Sequence, residues 1–273
     1  MTWLFCVFVG VALRLEYLLA KHILESRFPE WTNNKRRIFA VRVVSCTHAT
    51  ISALGCICSL LFDLNLVREP YEYSNSSAAY IFLFSMGYFL YDLMDMYIHG
   101  ELPNSKEYFV HHSLVLIAFS IILLSGRLFG FAMIGLLVEV QTIFLHVRTM
   151  VRLLGASREH KMYSHLINLN MWCLFVFRHL PITFLLYFLT VKDDKVPTVL
   201  RLFLVGGLTF LEYHNTHLTI SMAKTDGFFG FPGVATLDED SCDPLGAVNS
   251  EKEKAAKPAN GHSITNGKAK RID

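Results

Sequence analysis

Apolar residues along this chain fall into long blocks and follow neither the 3.6-residue period of an amphipathic helix nor the alternation of a half-buried strand. The blocks run from about Thr2 to Leu19, Ile38 to Val67, Ala78 to His99, Phe109 to Ser125, Leu128 to Leu154, Asn168 to Val191 and Val196 to Ala223. A helix of about 20 apolar residues crosses the ~30 Å hydrocarbon core of a bilayer, and transmembrane barrels use shorter, alternating segments. The pattern therefore predicts an all-α, polytopic transmembrane bundle of about seven helices. The first block carries Arg14 and Glu16 near its end and lacks the basic n-region and small-residue cleavage site of a signal peptide, so a retained helix is expected. Pro181 is expected to kink the sixth helix. Gly206-Gly207 and the small residues of the second block are expected to permit close helix packing. Beyond Lys224 the pattern stops. The stretch from Asp238 to Asp273 is rich in Lys, Glu, Ser, Asn and Ala, without aromatics, and reads as a disordered tail.

Composition agrees with a lipid solvent: 53% of the 273 residues are hydrophobic and 18% charged, against roughly 25% charged in soluble domains. Net charge is +2 and no basic run is interleaved with aromatics, so nucleic acid is not an expected partner. Of the six cysteines, Cys6, Cys46, Cys56, Cys58 and Cys173 lie inside apolar blocks and Cys242 in the tail. Their spacing fits neither a disulfide framework nor a zinc site, and the five read as small buried hydrophobes.

Basic residues cluster after the first block (Lys21, Arg27, Lys35, Arg36, Arg37), after the third (Lys106), after the fifth (Arg158, Lys161) and throughout the tail. The positive-inside rule then places the N-terminus outside and the tail in the cytosol. The sequon Asn75-Ser76-Ser77 falls in a loop that this orientation makes lumenal or extracellular, so Asn75 is a glycosylation candidate.

Ionisable residues within a span are costly when they face lipid, and by default they mark a functional site inside the bundle. Asp92, Asp95 and His99 share one face of the third helix, Glu139 and His146 one face of the fifth, and His214 and His217 one face of the seventh. With His111 and His112 they fall in the cytosolic half, where they could converge on one polar cavity. Two uses compete: polar bridges that hold helices together, and a cavity in which an imidazole beside a carboxylate accepts a proton from a hydroxyl or amine. Histidine spacing does not match a membrane di-iron site, and no metal or other cofactor is expected. The spans lack the Gly/Pro interruptions and charge rings of conduction paths.

The stretch Tyr108-Phe109-Val110-His111-His112, preceded by Gly87-Tyr88-Phe89-Leu90-Tyr91-Asp92 and followed by Leu136-Leu137-Val138-Glu139-Val140 with Ile143-Phe144-Leu145, resembles the TLC-domain family, which includes the ceramide synthases. The run from Phe84 to Leu154 is most similar to the branch of TLC domain-containing proteins 1 and 2. The resemblance divides the chain into an N-terminal helix and loop (1–31), a six-helix TLC domain (32–228) and a polar tail (229–273). It implies a plasma membrane protein that regulates phospholipid composition and fluidity by limiting incorporation of long-chain polyunsaturated acyl chains into phospholipids such as phosphatidylethanolamine. Membrane lipids would be its partners. The alternative is a ceramide synthase-like lipid acyltransferase, with His111 or His112 as general base and Asp92 or Asp95 orienting it, and the alternative compartment is the endoplasmic reticulum. Ceramide synthases carry an HDxxD element after the histidine pair. Here the corresponding stretch, Leu137-Val138-Glu139-Val140-Gln141, has neither its His-Asp nor its second Asp, so an enzymatic role is the less favoured reading. The chain closes on Lys270-Arg271-Ile272-Asp273, without a KDEL-type signal, which fits the plasma membrane.

Overall fold

The computed structural model describes residues 2–102, 105–156, 159–192 and 195–233; the tail from 234 onward, with Cys242, lies outside the described residues. Every regular element among them is helical: α1 (Thr2–Arg27), α2 (Asn33–Phe62), the single turn α3 (Asn65–Arg68), α4 (Ser76–Ile98), α5 (Lys106–Ser125), α6 (Phe129–Leu136), α7 (Val138–Leu153), α8 (Lys161–Leu174), α9 (Leu180–Tyr187) and α10 (Thr198–Asp226). Among the described residues six spans are long and apolar enough to cross a membrane: α1, α2, α4, α5, the α6–α7 pair, and the run from α8 through α9 to Lys192. At 29 residues α10 reaches about 43 Å. It is not among those six, and its buried residues, from His214 to Asp226, all lie in its C-terminal half.

Two spans are not continuous helices. The fifth apolar block bends at Leu137, where Leu137 N–H donates to Ile134 O and Val140 N–H to Leu137 O, tightened i to i−3 bonds that separate α6 from α7. In the sixth, α8 passes into a π-helical turn, Phe175–His179, immediately ahead of Pro181. Proline has no N–H to donate to a carbonyl four residues back, and the wider turn accommodates that missing bond where a kink was expected.

Helix α1 packs on α4 and α2, α2 on α7, α7 on α8, α4 on α5, and α9 on α10. Phe82 anchors the core, its ring 4.9 Å from Phe119 and 5.3 Å from Phe129. Lipid offers no hydrophobic drive for helix association, so close approach and interhelical hydrogen bonds do that work. Cys6 Sγ donates to Leu83 O and Cys56 Sγ to Met133 O, Ser52 meets Ser85 at 3.0 Å, and Tyr88 Oη donates to Ser45 Oγ. A Cβ on Gly87 would lie 2.8 Å from Cys6 O, so α1 and α4 touch backbone to backbone there. Gly206 and Gly207 behave otherwise than expected: nothing lies within 4 Å of a Cβ built on either, because α10 meets the core there through Leu204, Val205 and Leu208 and not through its glycines. Cys58 likewise is exposed on the bundle's outer face and is not a buried hydrophobe.

The perimeter is apolar. Leu4, Phe62 and Leu124 are 73%, 88% and 85% exposed, a surface that water would not tolerate over such an extent and that acyl chains match.

Candidate functional site

Successive turns of α2 turn Arg42, Ser45 and His48 toward the bundle interior, at spacings that keep them on one face. Asp92 of α4, His111 and His112 of α5, Glu139 and His146 of α7, Arg178 of the π-turn and His214 of α10 face them across a polar chamber of about 480 Å³. Asn34, Glu101 and Ser105 stand at its mouth. They belong to the helix ends that the distribution of basic residues assigns to the cytosol.

Beyond His111 and Glu139 lies a second chamber of about 140 Å³, walled by Phe119, Ile122, Phe131, Leu185, Leu204 and Leu208. Phe89, His111, Val138, Glu139 and Arg178 line both, so a polar compartment adjoins an apolar one at a ring of three ionisable groups.

Within the polar chamber His112 Nδ1 lies 3.1 Å from Asp92 Oδ2, at ion-pair distance but outside hydrogen-bonding alignment. His48 stacks on Tyr88 with centroids 3.9 Å apart and planes within 8°, which holds its Nδ1 4.0 Å from Glu139 Oε2. The His111 ring stands 5.2 Å from that of His112 and 6.2 Å from that of His214. Several buried polar atoms have no hydrogen-bond partner within the described protein: His48 Nε2, Nδ1 of His111, His146 and His214, and Glu139 Oε2. Such atoms cost free energy unless water or a ligand satisfies them. Arg178 donates to Asn215 Oδ1 and Thr142 Oγ1, both neutral.

The π-turn explains how adjacent residues serve two purposes. Arg178 points into the chambers, while His179 contacts Glu212 and Thr219 of α10 and clamps the turn against that helix.

Asp92, His111, His112, Glu139, His146 and His214 are brought together around one cavity. Asp95 and His217, placed on the same helical faces by spacing, do not line it. Asp95 instead receives Arg14 at 3.2 Å, Arg37 at 3.3 Å and His99 at 3.4 Å, a knot that ties α1 and α2 to α4 beside the mouth. His217 is half-buried, one turn past His214. The motif position Gln141 faces the other way, donating to Asn170 of α8. Arg42, His48 and Arg178 line the chamber although spacing did not single them out, and the signal available for them was an ionisable residue inside an apolar block. Among the described residues no three His, Cys, Asp or Glu side chains are grouped as metal ligands.

Asn75 is the N-cap of α4. Its Oδ1 accepts from Ala78 N–H and its Nδ2 donates to Asp63, which also accepts from Tyr73 Oη. The Asn75 amide and the Tyr73 hydroxyl hold the Asp63 carboxyl below its ordinary pKa.

An α-helical membrane bundle that encloses a polar chamber backed by an apolar one is the class of protein these features define. Residues 38–224 match the TLC domain, and the chain belongs to that family. It is similar to TLC domain-containing protein 2 of Danio rerio (28% identity over 186 residues, 67% of this chain and 74% of the relative). It is also similar to TLC domain-containing protein 1 of Gallus gallus (30% over 146 residues, 54% and 58%) and of Homo sapiens (29% over 170 residues, 62% and 68%). The match thus spans little more than half of the Gallus gallus protein. No solved structure matches.

Proposed function

We propose that this protein regulates the acyl composition of membrane phospholipids, and through it membrane fluidity, by holding a lipid in its paired chambers and limiting incorporation of long-chain polyunsaturated acyl chains. The plasma membrane is the proposed site of action. The observation that carries this reading is the adjacency of the two compartments: an amphiphile needs a polar place for its head beside an apolar place for its chain. Similarity to TLC domain-containing proteins 1 and 2 supports it.

The test is a phospholipid acyl-chain profile by mass spectrometry of cells lacking the protein, rescued at matched membrane expression with wild type or with His111→Gln/His112→Gln. Rescue by wild type of a polyunsaturated excess is the expected result. An unchanged profile in every sample would remove the reading.

The contact between His112 and Asp92 favours a second reading, acyl transfer, in which His112 accepts the proton of an attacking amine or hydroxyl and Asp92 stabilises the imidazolium. Full rescue by the double variant would eliminate it.

A further inference from the structure

Apart from histidines, six charged side chains line the polar chamber: Arg37, Arg42 and Arg178 against Asp92, Glu101 and Glu139. Most are engaged. Arg37 pairs with Glu101 and Asp95, Arg178 donates to Asn215 and Thr142, and Asp92 lies against His112. Glu139 has His48 at 4.0 Å. Arg42 differs from all of these in that, among the described residues, it makes neither a hydrogen bond nor an ion pair; its buried Nε is unpartnered, as are those of Arg37 and Arg178. It stands on the inward face of α2, five residues deeper than Arg37 at the mouth, and it lines the chamber.

A guanidinium is charged at any physiological pH and offers five N–H donors in a planar fork. Inside a membrane span such a group finds an anion or stays solvated at a cost. Among the described residues no carboxylate of the chamber lies within ion-pair distance of Arg42, so a bound anion is left to complement it. A chamber of about 480 Å³ is large for a lone carboxylate at the end of a fatty chain. The oxygens of a phosphate ester match the bidentate fork, and the surrounding unpartnered imidazole nitrogens of His48, His146 and His214 can meet further polar atoms of the same head group.

We propose that Arg42 anchors the phosphate ester of an amphiphile whose hydrocarbon begins in the apolar chamber beyond His111 and Glu139. This rests on the paired-chamber reading and adds to it the group recognised and the residue that recognises it. The apolar chamber, at about 140 Å³, takes a short stretch of chain, so discrimination falls on the head group and the first methylenes.

The test uses the full chain in a neutral detergent, with thermal unfolding followed against hexadecyl phosphate, hexadecanoate, hexadecanol, inorganic phosphate and coenzyme A. Hexadecyl phosphate is expected to raise the unfolding temperature saturably and to act at lower concentration than hexadecanoate or hexadecanol. Arg42→Gln is expected to weaken its apparent affinity about ten- to a hundredfold, the range of a charge-assisted hydrogen bond, while leaving the hexadecanol response in place. Arg42→Lys, which keeps charge but not the fork, should fall between the two and serves if the glutamine variant does not fold. Equal protection of wild type and Arg42→Gln by hexadecyl phosphate would overturn the proposal, as would hexadecanoate matching the phosphate. Arg42-dependent protection by inorganic phosphate or coenzyme A at the concentration of hexadecyl phosphate would overturn it by making the ligand a soluble phosphate. Protection by hexadecanol alone would leave the paired-chamber reading standing without its phosphate, whereas protection by neither long-chain compound would remove both.

Discussion

His112 Nδ1 stands 3.1 Å from Asp92 Oδ2, across the gap between α5 and α4, and the pair closes one wall of a chamber that also receives Arg42, Glu139 and Arg178. A carboxylate at that distance favours one orientation of the ring. Asp92→Asn keeps the size and removes the charge. If the dyad accepts a proton, this variant should lose most of the wild-type effect on the lipid profile at equal abundance, whereas Asp95→Asn should act through stability. Equal rescue by Asp92→Asn and wild type would confine the pair to a structural role.

Gly130 sits at the first turn of α6, where its N–H donates to Pro70 O. A Cβ there would lie 1.9 Å from Leu66 O and 2.5 Å from Pro70 Cα. Backbone cannot yield as a flexible side chain can, so Gly130→Ala should destabilise by about 3 kcal/mol, the upper part of the usual range for overpacking. Gly206→Ala, with open space around it, should change the unfolding temperature little. Thermal unfolding of both variants in detergent checks the contrast.

Arg148 and Asp226 form an ion pair in which both residues are almost fully buried, joining α7 to the last turn of α10. Removing one partner leaves an uncompensated buried charge, so Asp226→Asn should cost about 3–5 kcal/mol. The double replacement Arg148→Met/Asp226→Leu should recover much of that loss, since neither charge then remains. A double-mutant cycle in denaturant reads the coupling directly.

The loop between α2 and α4 carries a pH dependence of known sign. The Asn75 amide and the Tyr73 hydroxyl hold the Asp63 carboxyl below its ordinary value. Its contribution to stability is therefore fully present above the ordinary carboxyl pKa of about 3.9 and is lost as pH falls through the lower folded value. Asp63→Asn should remove this acid-side component, seen as a smaller fall in unfolding temperature between about pH 4 and pH 3. The same loop tests glycosylation at Asn75: a glycosidase-sensitive mass on the cellular protein that disappears in Ser77→Ala would establish it. Asn75→Ala would be the poorer control, because losing the cap of α4 costs about 1 kcal/mol by itself.

Much of this protein is legible in its sequence because a bilayer imposes a one-dimensional rule. A segment that must satisfy its own backbone across ~30 Å of hydrocarbon has to be a long apolar helix, and such blocks can be read without knowing their neighbours. The same rule makes Asp92, His111, His112, Glu139, His146 and His214 conspicuous, since lipid-facing charges are costly. Helical spacing, however, says only which residues share a face, not what that face meets. Asp92 and Asp95 are three residues apart, yet one lines the chamber and the other is held by Arg14 and Arg37 of two different helices. His214 enters the cavity and His217, one turn further along α10, does not. The bend at Leu137 and the π-turn before Pro181, which aim Glu139 and Arg178 at the boundary between the chambers, depend on a local choice of hydrogen-bond register. Hydropathy carries no trace of that choice. Composition and spacing determined that polar groups would be hidden inside a membrane bundle; the packing of the helices decided which of them share a cavity and that, among the described residues, Arg42 makes neither a hydrogen bond nor an ion pair.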